Sequence, residues 1–269
     1  MATITASIVN ELRSKTGQGM MECKKMLTET GGDVEAAIRK FREKGVKTSV
    51  LERAATEGRV FIGTTPDHKK GAIVEINCNT DFTAKSDALA AAGEKAVKKI
   101  LAGTADASSD AEVKSDLTAL SQTTGENVQL GHTASADAAY VGSYLYSTAG
   151  KGKTAVLLSF SAGGNEEIAR LVGMHIVATR PIALTRSEVP ADVVQKEKDI
   201  AVEQAKASGK PQNIAEKIAE GKMNAFYGER VLLDQEFINA EMFKGKVSDL
   251  LKSKGATLEK YVRIEVGQA

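Results

Sequence analysis

Several groups of residues have types and spacings from which chemistry can be built. Gly152-Lys153-Thr154 has the ending of a phosphate loop, which needs G-x-x-x-x-G-K-[ST] so that successive backbone amides wrap the phosphates. The first glycine of that pattern falls where Ser147 stands, and the tripeptide precedes a strand-like run instead of opening a helix. A hairpin turn fits it better. His68, His132 and His175 show no metal-ligand spacing, and Cys23 and Cys78, 55 residues apart, belong to no C-x-x-C. A Cys78/His175 thiol pair rests only on the presence of both residue types. Cys78 lies in an alternating apolar run and His175 between Met174 and Ile176, so core packing is the better reading of each. No carboxylate pair, nucleophile elbow or dinucleotide fingerprint is visible. The sequence therefore predicts no covalent catalysis, no metal and no cofactor.

Two groups remain. Thr16-Gly17-Gln18-Gly19-Met20-Met21 sets two soft, unbranched side chains just after a glycine loop, and Asn79-Thr80-Asp81-Phe82 sets an acid and an aromatic at the end of an apolar strand. Pattern alone favours a packed reading, in which the methionines are core, Asp81 caps a helix and Phe82 packs beneath it. The other reading is a presented contact surface.

Composition narrows the function classes. With 269 residues, 42% hydrophobic and 26% charged, the chain can bury true cores. Its 36 Lys and Arg against 35 Asp and Glu give a net charge of +1, so no whole-chain basic field draws it onto nucleic acid or anionic membrane. Seven Phe, five Tyr and no Trp leave few stacking platforms. The N-terminal residues lack a basic segment followed by an apolar run, and no stretch approaches the ~18 apolar residues of a membrane span. A reducing, cytoplasmic setting without a transit peptide is the expectation.

The elements that must position these residues read as α+β. Residues 1–53 predict three short helices: Thr5 or Ser7 caps the first, Met20, Cys23, Met26 and Leu27 mark the second, and Asp33 caps the third ahead of Ala36, Ala37 and Phe41. From Glu57 the period becomes that of strands, with 59–62 and 72–78 flanking a turn that holds Pro66 and Asp67, then a helix bearing Leu89, Val97 and Ile100. The pattern recurs 84 residues later, Gly142 answering Gly58, with strands 141–146 and 155–160 and a helix 168–177. A duplicated strand-strand-helix core is predicted, in subdomains 54–139 and 140–269. Residues 104–137, with six acids and one lysine, read as an exposed helical connection with mobile ends. An antiparallel helical hairpin is predicted over 190–228, turning at Ser208-Gly209-Lys210-Pro211, its apolar stripes including Ile200, Ala201, Ile214, Ile218 and Ala219. A C-terminal module over 229–269 ends in a strand, 261–266, that needs a sheet to join.

Longer runs add a resemblance. Leu12 to Lys25 as a block, Gly32-Asp33, Asn77 to Phe82 with Ala84-Lys85, Met174 to Ala178, Ser208 to Pro211 with Ile214 to Lys217, and Arg263 to Gly267 resemble the translation elongation factor Ts family, in family order over nearly the whole chain. The resemblance implies a nucleotide exchange factor for the GTPase elongation factor Tu that promotes GDP release. It implies an N-terminal bundle like a ubiquitin-associated domain and a duplicated core gripping the GTPase. The pair matching Asp81 and Phe82, with Thr80 before it, would enter beside magnesium and phosphate, and Arg13, Met20 and Met21 would touch the GTPase surface. Tyr146 stands where the family often has histidine, and longer members continue past the final strand. The rival class is a passive adaptor that binds another protein through Met20 and Met21; an enzyme of the thiol type is third.

Overall fold

The computed structural model describes residues 4–44, 54–104, 107, 110–207 and 212–268. The ends of the predicted N-terminal bundle, 1–3 and 45–53, and the predicted turn at 208–211 lie outside the described residues. The mixed α+β class holds.

Helices α1 (Ala6–Thr16), α2 (Met20–Glu29) and α3 (Val34–Glu43) form the N-terminal bundle. Thr5, of the two candidates, caps α1 by accepting from the Ile8 amide, and Asp33 caps α3 by accepting from the Ala36 amide. Val9, Leu12, Cys23, Met26, Leu27, Ala37 and Phe41 close a small core between them.

The rest is two antiparallel sheets packed face to face, with helices on their outer faces. In the first sheet β1 (Glu57–Thr64) pairs with β2 (Lys70–Cys78), and β2 with β3 (Gln129–Asp137). In the second, β4 (Tyr140–Thr148) pairs with β5 (Lys151–Ala162), and β5 with β6 (Thr257–Glu265). The predicted terminal strand thus finds its sheet along β5. Val60 and Ile73 of one sheet meet Val141, Ala155, Leu157 and Ile264 of the other. The opposite side of β2, with Val74, Ile76 and Cys78, packs on α5 (Asp87–Leu101) and α6 (Ala111–Thr124). The opposite side of β5, with Val156, Leu158 and Phe160, packs on α7 (Glu166–Thr179) and α10 (Val247–Ser253). Alternation at period two is what lets each central strand serve two layers. Each sheet also seats an aromatic ring of its first strand on a helical glycine: a Cβ at Gly93 would stand 2.2 Å from the Phe61 ring, and one at Gly173 2.3 Å from the Tyr144 Cβ.

Between α7 and α10 the chain makes α8 (Ala191–Ala207) and α9 (Gln212–Arg230), which pack through Ala201, Ala205 and Ala219 with Val202 and Ile218. Ile200 and Ile214, predicted on the shared stripe, are exposed. The small alanines let the helices approach closely enough that larger side chains at the edge are left outside.

Two expectations are corrected. The described residues of 104–137 are no exposed connection: α6 buries Val113, Leu117 and Leu120 in the first core, and 129–137 is strand β3. Three of the acids that suggested exposure, Asp110, Glu112 and Asp116, instead pair with lysines of α5, Asp116 with Lys95 at 2.9 Å and Glu112 with Lys99 at 2.7 Å. Nor does Gly152-Lys153-Thr154 form the hairpin turn. The turn is Ala149-Gly150, both at positive φ (51° and 80°), and the tripeptide already lies in β5.

Candidate partner-binding surface

At the end of β2 the chain leaves the sheet through Asn79 and Thr80 and makes a single helical turn, α4 (Asp81–Ala84). Its N-cap is Thr80, whose hydroxyl accepts from the Thr83 amide. Asp81 is therefore the first helical residue and not the cap, which corrects the packed reading of the sequence. That reading also put Phe82 beneath the helix, whereas its ring is 88% exposed. Position explains both: a one-turn helix buries only the side facing the sheet, here Thr83 and Ala84, and Phe82 falls on the other side.

Glu126, just past the C-terminus of α6, holds this corner. Its carboxylate accepts from the amides of Asn79 and Thr80 at 3.1 and 3.0 Å and from the hydroxyls of Thr80 and Thr83 at 2.5 and 2.8 Å. Burial alone would raise this carboxyl, but the hydrogen bonds from Thr80, Thr83 and Asn79 bring it below its ordinary value. Asp81 is held from the other side. One of its oxygens accepts from Lys151 and the other pairs with Lys85 at 2.6 Å. Lys151 first, then Lys85, push the Asp81 carboxyl down to about 2.

Met20 and Met21 open α2, 52% and 76% exposed, while Cys23, Met26 and Leu27 on the same helix are buried. The core reading of the two methionines is thereby corrected: in the first turn of α2 Cys23 enters the bundle core and Met20 and Met21 stay outside it. Arg13 is half-buried and engaged within the molecule, donating from Nη2 to Gln122 Oε1 of α6 at 3.0 Å. Gln122 in turn donates to the Gln18 carbonyl at 3.2 Å. The segment 122–126 thus braces both the glycine loop before Met20 and the Asp81 corner. Sequence reasoning missed Gln122, Glu126 and Lys151; the only signal for them was a lone amide, acid or lysine near an element end.

The thiol pair does not form. Cys78 lies in the first core, its Sγ donating to the Thr80 carbonyl at 3.3 Å, and burial pushes its thiol up to about 11. His175 is buried in the second unit. Its Nδ1 accepts from the Ile238 amide at 3.1 Å and its Nε2 meets Gln235 Oε1 at 2.9 Å. Burial lowers its pKa. Among the described residues no group of three His, Cys, Asp or Glu side chains gathers to hold a metal, and no helix is long and apolar enough to cross a membrane.

Residues 79–268, which begin at this corner, match the family model described as elongation factor TS. Elongation factor Ts of Photorhabdus laumondii is 41% identical over 276 residues, covering 100% of this chain and 94% of that protein. Those of Methylococcus capsulatus and Hyphomonas neptunium are also 41% identical, over 99% and 100% of this chain and 93% of each relative. The chain belongs to the elongation factor Ts family. Its role is that of a translation elongation factor, and the relatives' alignments carry the family likeness through the N-terminal bundle that precedes the matched segment.

Proposed function

We propose that the protein is a guanine nucleotide exchange factor that binds elongation factor Tu, displaces ligands of its magnesium and phosphates, and so promotes GDP release in the cytoplasm. The observation that carries this reading is Phe82, a fully projecting ring on a helical turn held at both sides, in a chain of this family. An aromatic without a seat in its own protein has a pocket to find in another. Met20 and Met21 offer a second, adaptable apolar contact.

The energetics require a broad surface. A GTPase holding GDP at nanomolar affinity retains it with ~12 kcal/mol, and faster release by four to five decades means offsetting ~5.5 to 7 kcal/mol. Two side chains do not supply that. An interface of ~1,600 Å² does, by favouring a GTPase conformation in which magnesium and phosphate ligands are displaced. Coupling is reciprocal, so GDP equally weakens the factor's grip and permits turnover. The chemistry stays with the partner; the protein itself needs no cofactor, nucleic acid or membrane.

We read the architecture in the same terms: a ubiquitin-associated-like bundle over 1–53 and two copies of one design over 54–139 and 140–269, the second carrying the hairpin 190–228 and the module 229–269. The matching three-stranded sheets and the two ring-on-glycine seats support the duplication. The test is stopped-flow release of a fluorescent GDP analogue from elongation factor Tu over a range of factor concentrations. A saturating acceleration is expected; release at the intrinsic rate despite complex formation would leave the adaptor reading instead.

A further inference from the structure

Lys151 is a buried cation that holds one side of the turn carrying Phe82. It opens β5, is 7% exposed, and donates to Asp81 and, at 2.9 Å, to Glu57 at the start of β1. It reaches both because β5 begins directly against β1: a Cβ on Gly152 would stand 2.3 Å from the Val60 carbonyl oxygen. The single turn α4 has little helical stability of its own, since one turn pays the nucleation cost without propagation. Glu126 ties it to the first sheet's helices; Lys151 ties it to the second sheet.

We propose that Lys151 is a positioning residue for exchange: by holding the Asp81 carboxylate to β5 it fixes the direction in which α4 presents Phe82. This rests on the exchange reading. A ring that must displace side chains in the partner acts only if its frame resists the push, and a corner free to rotate yields instead. The loss falls on the exchange step and not on the docking area.

The side chain separates folding from positioning. Lys151→Met keeps the length of the buried chain and removes its charge; losing one member of an ion pair is costly when it strands the other charge in the interior, and here both partner carboxylates are exposed. Asp81 keeps Lys85, and Glu57 is open to water. In Lys151→Met the saturating rate of GDP release is expected to fall about fivefold or more, with the half-saturating concentration within about twofold of wild type and no drop in melting temperature. Lys151→Arg, whose fork reaches two carboxylates, should recover most of the rate. In the free protein, backbone 15N order parameters over Asp81–Ala84 should fall in Lys151→Met and recover in Lys151→Arg. If wild type accelerates release and Lys151→Met keeps its saturating rate, the proposal is overturned. A lower rate accompanied by a lower melting temperature and no rescue by Arg overturns it too, in favour of a structural role. Should wild type itself fail to accelerate release, the exchange reading falls, and the order parameters alone then decide whether Lys151 fixes the corner.

Discussion

Phe82 touches little in its own molecule, so its removal separates function from folding. Phe82→Ala should leave the melting temperature unchanged while slowing saturating GDP release about 10- to 100-fold, with a smaller change in half-saturating concentration. Unchanged saturating release in stopped flow would move the intruding element elsewhere on the surface. Asp81 differs, because its charge is already occupied. With the carboxyl at about 2, its ion pairs are complete above the ordinary carboxylate range and are lost only as pH falls through about 2, so the exchange profile should show no Asp81 titration near neutrality. The buried imidazole of His175 acts in the opposite pH range. Its native pKa lies below the ordinary 6.5, so the unfolded chain takes up a proton that the native state refuses. Stability is then full above about pH 6.5 and declines as pH falls below it, by up to ~1.4 kcal/mol per pH unit for one group. Urea unfolding at about pH 7.5 and 5.5 should show that loss in wild type and a smaller one in His175→Leu, where no imidazole titrates; equal losses would assign the dependence to other groups.

Helix α6 and the residues just past it are the elements on which both parts of the candidate surface lean. Glu126→Ala removes the acceptor of four hydrogen bonds at the Asp81 corner, two of them from backbone amides. It should cost about 2 kcal/mol or more of stability and lower the saturating exchange rate as much as Phe82→Ala does. A normal rate from the folded variant would show that the corner stands without Glu126. Met20→Ala with Met21→Ala should instead raise the half-saturating concentration and leave the melting temperature nearly unaltered, since both side chains are outside the core. A large melting shift with normal binding would reverse that assignment. The bundle was readable in the sequence because each start has its own chemistry, Thr5 and Asp33 as caps and glycines between. Strand β3 was not. Its Gln129–Asp137 run is an edge of small and polar residues whose inward side chains are mostly alanine, so period two leaves almost no apolar trace. For α6 the trace existed, Val113, Leu117 and Leu120 at helical spacing, but the acids around it suggested a solvated linker. Those acids are partnered by lysines of α5, which become neighbours only on folding. The corner itself was legible as an acid and an aromatic at a strand end, while its restraints were not, because Glu126 and Lys151 approach from 45 and 70 residues away.

At the scale of the whole molecule the two sheets meet across an apolar face that contains one buried acid. Glu75 lies on the same side of β2 as Ile73 and is 1% exposed, yet it is fully occupied. One oxygen accepts from the His132 amide at 3.0 Å and lies 2.9 Å from the His132 ring, and the other accepts from the Gly267 amide at 2.9 Å. A single side chain in the first sheet thus binds its own edge strand β3 and the backbone that follows the last strand of the second sheet. The chain's close is pinned to its middle. Charge alone does not stabilise such a group, since burying a carboxylate costs what its hydrogen bonds return. What matters is the state left by its removal: two backbone amides lose their acceptor at the rim of the sheet interface, where His132 and Gly267 are themselves exposed and water can take its place. Each lost bond is worth about 0.5 to 1.5 kcal/mol net, so Glu75→Ala should destabilise by about 1 to 3 kcal/mol. For a chain of this length each kcal/mol corresponds to about 2 to 4 °C in melting temperature. Below its melting transition, however, Glu75→Ala should exchange nucleotide at a normal saturating rate, because the hydrogen bonds of Glu75 go to His132 and Gly267 and none to the Asp81 corner. Calorimetry together with stopped flow below the transition checks both halves. A normal melting temperature would show that water or a relaxed interface pairs those amides, and a slow exchange rate in the folded variant would mean that sheet-to-sheet registry itself sets the direction of Phe82.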